Sequence, residues 1–280
     1  MLPRALTVVL LTAILVGLGC SSPESRDLAI EGLTGKLVLT GSSTIAPLAL
    51  EIGQRFEAEN PHVRVDVQTG GSSRGIADTR NGTADIGMAS RALAADEQDL
   101  LSFAIARDGV SLIVHRDNPV RELSDQQVVA IYTGTITNWK DLGGDDAPIT
   151  VVHKAEGRAT LEVFLGYLGL DGREVQPSVV IGDNEQGVKT VAGNRNAIGY
   201  VSIGTAEADA ATGVPIRLLG LGGIEATSAN VAAGSFPMAR ALNLITREKP
   251  SGLSTAFLKF ARSESVHDLV EAHFFVPIQD

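Results

Sequence analysis

The chain has almost no cysteine, no surplus of positive charge, no metal-ligand spacing and no apolar run long enough to cross a membrane. Cys20 is the only cysteine, so no intramolecular disulfide can form and an exported fold must stand on its core alone. Lys and Arg number 23 against 33 Asp and Glu, a net charge of −10. That balance argues against nucleic acid as a partner. It leaves an anionic ligand open, because small oxyanions are held by local donors rather than by net field. The histidines (His62, His115, His153, His267 and His273) are scattered, with no HxH or HExxH spacing. Neither a metal nor a cofactor is expected. The uncharged, mostly apolar run over residues 5–18 is fourteen residues long, short of the ~20 that span a bilayer.

That run begins what the chain does contain. Arg4 gives it a positive start, so residues 1–19 read as a signal peptide. It closes in VGLGC, which resembles the lipobox of bacterial lipoproteins, with Gly17 where Leu is commonest. A lone cysteine is otherwise a small buried apolar residue; at the end of an export signal, Cys20 is expected to carry lipid. The protein should then sit in the periplasm or on the outer face of the cell membrane. Removing residues 1–19 takes away one charge, Arg4, leaving 261 residues with a net charge of −11. Residues 20–35 are polar and mixed, and read as a tether.

From residue 36 onward strands and helices alternate, predicting an α/β fold with largely parallel sheets. KLVLT is a strand, and the helix after GSSTIAP puts Ile45, Leu48, Ile52 and Phe56 on one face. Val63, Val65 and Val67 alternate as a strand. VSLIVH, residues 110–115, is another, closed by Asn118-Pro119. The pattern then restarts near residue 120, where Ser124 caps a helix.

Gly71-Ser72-Ser73-Arg74-Gly75 spells G-x-S-x-G, the pattern of a hydrolase nucleophile elbow, between a strand and a helix. A triad in that order needs an acid and then a histidine downstream. His267 and His273 are available, but no motif marks either. Three loops offer a different reading. Residues 41–44, 70–75 and 156–160 each join a strand to a helix start through Gly, Ser, Thr or Ala. A helix start presents unpaired N–H groups and partial positive charge. Each loop alone is an ordinary N-cap; three together suit an oxyanion, which needs converging donors. The cradle is preferred, and a secreted phosphoesterase or serine hydrolase using Ser73 is the alternative.

TGSSTIAPLALEIGQRFEAENP, GGSSRGIADTRNGTADIGMASR, IYTGTITNWKDLGG and DNEQGVKTVAGNRNAIGYVS resemble the phosphate-binding proteins of bacterial ABC phosphate importers. The resemblance runs from about Lys36 to the C-terminus. It implies a two-lobed type II periplasmic-binding-protein fold with two crossover strands, near residues 115–119 and 240–244. Lobe 1 is then residues 36–117 and 241–280, and lobe 2 residues 118–240. It also implies a monomer that is no enzyme, and that captures phosphate between its lobes for the permease of an ABC importer.

Residue by residue, the resemblance carries Ser43, Thr44 and Ile45 to the first phosphate loop, and Ser72 or Ser73 to the second. The third loop reads Lys154-Ala155-Glu156-Gly157-Arg158-Ala159-Thr160 where the family typically reads Arg-x-Asp/Ser-Gly-Ser-Gly-Thr. Gly157 and Thr160 are kept, while Lys154, Glu156, Arg158 and Ala159 depart. After Met88-Ala89-Ser90, where many members carry an Asp that accepts the phosphate proton, this chain has Arg91. Protonated phosphate needs an acceptor as well as donors, so Glu156 is expected to take that part. Lys154, Arg158, Arg91 and Arg74 are candidate cations. These departures leave another oxyanion open as the ligand. Trp139, the only tryptophan, is expected to pack on its lobe rather than face a partner.

Overall fold

Leu37 and Leu39 set the apolar face of the first strand, and the computed structural model, which describes residues 32–278, places it at the heart of a first core. Residues 1–19, Cys20 and the tether as far as residue 31 lie outside the described residues. Three strands, β1 (Gly35–Gly41), β2 (Val63–Thr69) and β3 (Ile86–Ala89), pair in parallel in the order β2-β1-β3. Between β1 and β2 runs α1 (Ala46–Glu59), which buries Leu48, Ile52 and Phe56, the face its three- and four-residue spacing dictates. Between β2 and β3 runs α2 (Ser72–Asn81), stopped by Gly82 in the left-handed conformation.

The next strand, β4 (Leu101–His115), joins the two halves. Beyond it come β5 (Glu122–Leu123), α3 (Asp125–Tyr132), β6 (Thr150–Lys154), α4 (Ala159–Leu168) and β7 (Val179–Ile181). They are followed by α5 (Asn184–Ala192), β8 (Ala197–Ser202), α6 (Ile203–Ala211), β9 (Ile216–Leu221) and α7 (Ser228–Ala232). The chain returns through β10 (Ala239–Thr246) to α8 (Gly252–Ala261), α9 (His267–Ala272) and β11 (Val276–Pro277). The second half has its own core, in which Tyr132, Phe164 and Tyr200 are fully buried. This is the two-lobed α/β architecture.

Two expectations change. The sheets are not largely parallel: β4 runs antiparallel to β10, β8 and β9, and β10 antiparallel to β3. A strand that carries the chain from one sheet to the other, and a strand that brings it back, must run against each other. The pairing also switches earlier than residues 115–119. Residues 101–109 of β4 pair with β10, and from Val110 onward β4 pairs with β8 and β9. Asn118-Pro119 ends the strand, because Pro lacks an N–H, but it does not mark where the partners change. Gly109 does. A Cβ there would lie 2.6 Å from the tip of Ile203 and 3.1 Å from Val231, so a larger residue would have to push these side chains aside.

Trp139 is buried, and its Nε1 donates to the Asn196 carbonyl at 2.9 Å. It packs on its own lobe, as expected of a loop aromatic.

Candidate oxyanion site

The three strand-to-helix loops meet. The β1–α1 loop is drawn tight by Gly41, at φ 132°, where a Cβ would strike the Met88 carbonyl at 2.3 Å. Ser42 Oγ then accepts the N–H groups of Thr44 at 3.2 Å and Ile45 at 3.4 Å. Thr44 is left buried at the start of the helix. In the β2–α2 loop Gly71 has φ 98° and a Cβ on it would meet the Gly157 carbonyl at 2.5 Å. Here two lobes touch backbone to backbone.

Ser43, Thr44 and Ser72 from lobe 1 line a small cavity with Lys154, Arg158 and Thr160 from lobe 2. Ser42, Gly71, Ser90, Ala159 and Gly182 complete its wall. The cavity is about 10 Å³, the scale of one water-sized guest. Among the described residues no carboxylate stands on the wall.

Lys154 ends β6 and is buried. Its backbone N–H donates to Tyr200 Oη at 3.2 Å, and Tyr200 stacks on Phe164 with centroids 3.9 Å apart. Its Nζ donates to Asn184 Oδ1 at 2.9 Å. Burial, with Arg240 nearby, lowers its pKa from 10.5 to about 7. Arg158 has no carboxylate within salt-bridge distance among the described residues, Glu156 included. Its guanidinium is available to a guest.

Sequence reasoning missed Arg240, Asp108, Asn184 and Ser90. Arg240, on β10, is almost fully buried and pairs with Asp108 of β4 at 2.8 Å. It also donates to Thr160 Oγ1 at 3.0 Å, Ser90 Oγ at 3.3 Å and Thr44 Oγ1 at 3.3 Å. Asn184, opening α5, donates across the cleft to Thr44 Oγ1 at 3.1 Å. The only signal available beforehand was charge inside two apolar crossover strands, Arg107 and Asp108 in ARDGV and Arg240 in MARAL.

Other expected residues stand elsewhere. Glu156 is exposed and off the cavity wall, because the turn at Gly157, φ 76°, carries it outward. Arg91 points away from the cavity. It grips Glu97 at 2.6 and 2.9 Å and reaches Glu162 of lobe 2, a latch across the cleft. Arg74 pairs with Asp78 on the surface. Ile45 is a core residue whose N–H is taken by Ser42. Gly157 accepts from Ser73 N at 3.2 Å, again across the cleft.

Ser73 itself is off the wall and sits inside α2. Among the described residues only Phe274 is a non-glycine with positive φ, so Ser73 lacks the strained backbone of a nucleophile elbow. Its hydroxyl meets Glu162 at 3.4 Å, not an imidazole.

Residues 29–265 match the model of the PBP superfamily domain. The phosphate-binding protein PstS of Bacillus subtilis (strain 168) is 30% identical over 255 residues, covering 89% of this chain and 83% of the relative. A crystal structure of a phosphate ABC transporter substrate-binding protein from Clostridium perfringens, with bound phosphate, is 32% identical with a TM-score of 0.80. It covers 88% of this chain and all of its own. An ABC-type phosphate transport receptor from Vibrio cholerae is 28% identical with a TM-score of 0.72, over 87% of this chain and all of its own. Donor loops from two lobes around a small polar cavity, and relatives matched over 83–100% of their own length, lead to one conclusion: the chain belongs to the PBP superfamily, in its family of phosphate-binding proteins.

Proposed function

We propose that this protein captures inorganic phosphate between its two lobes and delivers it to an ABC importer, as a monomer held outside the cytoplasm by lipid on Cys20. The observation that carries the reading is the cavity, which takes hydroxyl donors from both lobes and two cations, Lys154 and Arg158. Bonds across the cleft support a clamp: Thr44 to Asn184, Ser73 to Gly157 and Arg91 to Glu162. The lobes are proposed to close about the crossover strands near Gly109 and Ala239.

Melting in the presence of phosphate tests the capture. At 100 times its dissociation constant a ligand adds about 2.7 kcal/mol to stability, so the midpoint should rise by several degrees. A midpoint unmoved by any tetrahedral oxyanion would end the oxyanion reading. Turnover of chromogenic phosphate and carboxyl esters, abolished by Ser73→Ala, would instead favour the hydrolase.

The latch has a separate consequence. Glu162→Gln removes the charge that meets Arg91 across the cleft, a pair worth up to about 1 kcal/mol at this exposure. The closed form should be less populated and phosphate affinity about fivefold weaker, because apparent affinity scales with the competent fraction. Calorimetric titration measures it, and small-angle scattering should show the ligand-free variant more expanded than wild type.

Cys20→Ala should release the protein from the membrane or leave its precursor uncleaved, since stable anchoring takes more than one acyl chain. Wild-type protein found wholly in solution, with its signal cut at another position, would refute the anchor.

A further inference from the structure

Hydroxyl groups near the cavity are not free to choose their roles. A Ser or Thr oxygen has two acceptor lone pairs and one O–H. Thr44 Oγ1 receives Asn184 Nδ2 at 3.1 Å and Arg240 Nη2 at 3.3 Å. Both of its lone pairs are filled, so only its O–H remains to offer a guest. Ser90 Oγ receives Ser42 Oγ at 3.0 Å and Arg240 Nη1 at 3.3 Å, with the same result. Thr160 Oγ1 receives Arg240 Nη1 at 3.0 Å. One buried guanidinium thus sets three hydroxyls from both lobes. Asp108 holds it from behind through its Nε at 3.2 Å and Nη2 at 2.8 Å.

The carboxylates nearby are held by other groups or stand off the wall, as Asp183 does, which accepts from Gln186 N at the start of α5. Asp108 is taken up by Arg240 and the Gly204 N–H, Glu97 by Arg91, and Glu162 by Arg91 and Ser73. A protonated guest oxygen therefore meets no carboxylate on the wall. We infer that Arg240 is a positioning residue that fixes Thr44 and Ser90 as donors, and that the site consequently admits sulfate, a tetrahedral oxyanion carrying no proton, alongside phosphate. This rests on the oxyanion reading above and narrows it to a class: doubly charged tetrahedral oxyanions, chosen by charge and donor geometry. A site that rejects sulfate needs an acceptor carboxylate facing the ligand, which costs the unprotonated anion a like-charge contact.

The test is calorimetric titration of phosphate and sulfate at pH 8 on wild type and Arg240→Lys, with melting curves to follow the fold. Lysine keeps a charge for Asp108 but lacks the planar fork that reaches three oxygens. In wild type, sulfate should bind within about tenfold of phosphate, near 1.4 kcal/mol. In Arg240→Lys, sulfate affinity should fall at least tenfold more than phosphate affinity, because freed hydroxyls can turn and accept from a protonated oxygen. A purely structural role would weaken both anions equally, and that outcome overturns the positioning role. Wild type that binds phosphate yet rejects sulfate by more than a hundredfold overturns the inference while leaving the phosphate reading intact. Should Arg240→Lys fail to fold, that wild-type ratio decides alone. If neither anion binds, the oxyanion reading falls and this inference with it.

Discussion

Replacing Arg240 by methionine should destabilise the ligand-free protein by about 3–5 kcal/mol, because it leaves Asp108 as an unpaired charge in the interior. The side chains of Arg240 and Asp108 are 2% and 1% exposed, so water cannot take over. Three hydroxyls, those of Thr44, Ser90 and Thr160, lose a donor at the same time. At about 2–4 °C per kcal/mol for a chain of this size, the midpoint should drop by roughly 6–20 °C. The double variant Asp108→Leu with Arg240→Met should regain most of that loss, since well-packed apolar residues often match a buried ion pair. It should still bind anion poorly, because nothing then orients the hydroxyls. Thermal melts of the two variants, with and without phosphate, check both halves. A single variant as stable as wild type would mean the pair contributes nothing that packing does not.

Lys154→Met should have effects of opposite sign on stability and on binding. In the ligand-free protein burial and the nearby Arg240 hold the Lys154 pKa at about 7, against 10.5 for the free side chain. The unfolded chain therefore keeps this proton more readily than the folded one. Between pH 7 and 10.5 the unfolded state binds more protons, so stability rises with pH across that window. Below about pH 7 both states are protonated and the cost of burial is present in full. Lys154→Met removes that cost while giving up the hydrogen bond to Asn184. At pH 7 a net gain of about 2–4 kcal/mol is expected, and the variant should lose the rise toward pH 10.5. Phosphate should shift its midpoint less than that of wild type, because one of the two cations facing the guest is gone and Arg158 alone remains.

The same pKa makes a proton part of binding. An anion beside Lys154 favours the ammonium form, so above pH 7 the complex should take up to one proton per site through this residue. Lys154→Arg stays charged throughout and should lack that contribution. Calorimetry at pH 8 in buffers of different ionisation enthalpy gives the difference between the two proteins. No difference would mean that Lys154 is already charged before the ligand arrives.

Much of this protein follows from local rules that a sequence displays. The three- and four-residue spacing of Leu48, Ile52 and Phe56 sets the inner face of α1, and Ser124 with Gln127 closes a capping box on α3. Gly41, Gly71 and Gly157 mark the three turns that bring the loops to one place. The backbone demands left-handed or crowded geometry there, and only glycine supplies it without strain. The three strand-to-helix loops were legible for that reason, as short-range features; the choice of Ser43, Thr44, Ser72, Lys154, Arg158 and Thr160 within and beside them came from the family resemblance.

The rest depends on distance along the chain. The first half of β4 hid because Arg107 and Asp108 break its apolar pattern, and the pattern breaks because Asp108 meets Arg240, 132 residues away. Whether a charged side chain faces ligand, solvent or a partner is likewise settled by what lies opposite it. Arg91 and Glu156 both sit in loops that leave a strand, β3 and β6, yet Arg91 finds Glu97 and Glu162 while Glu156 faces water. Local chemistry determined which loops could hold an anion. Only the tertiary structure decided which charges reach it, because a charge is placed by its partner and the partners here come from other elements, often from the other lobe.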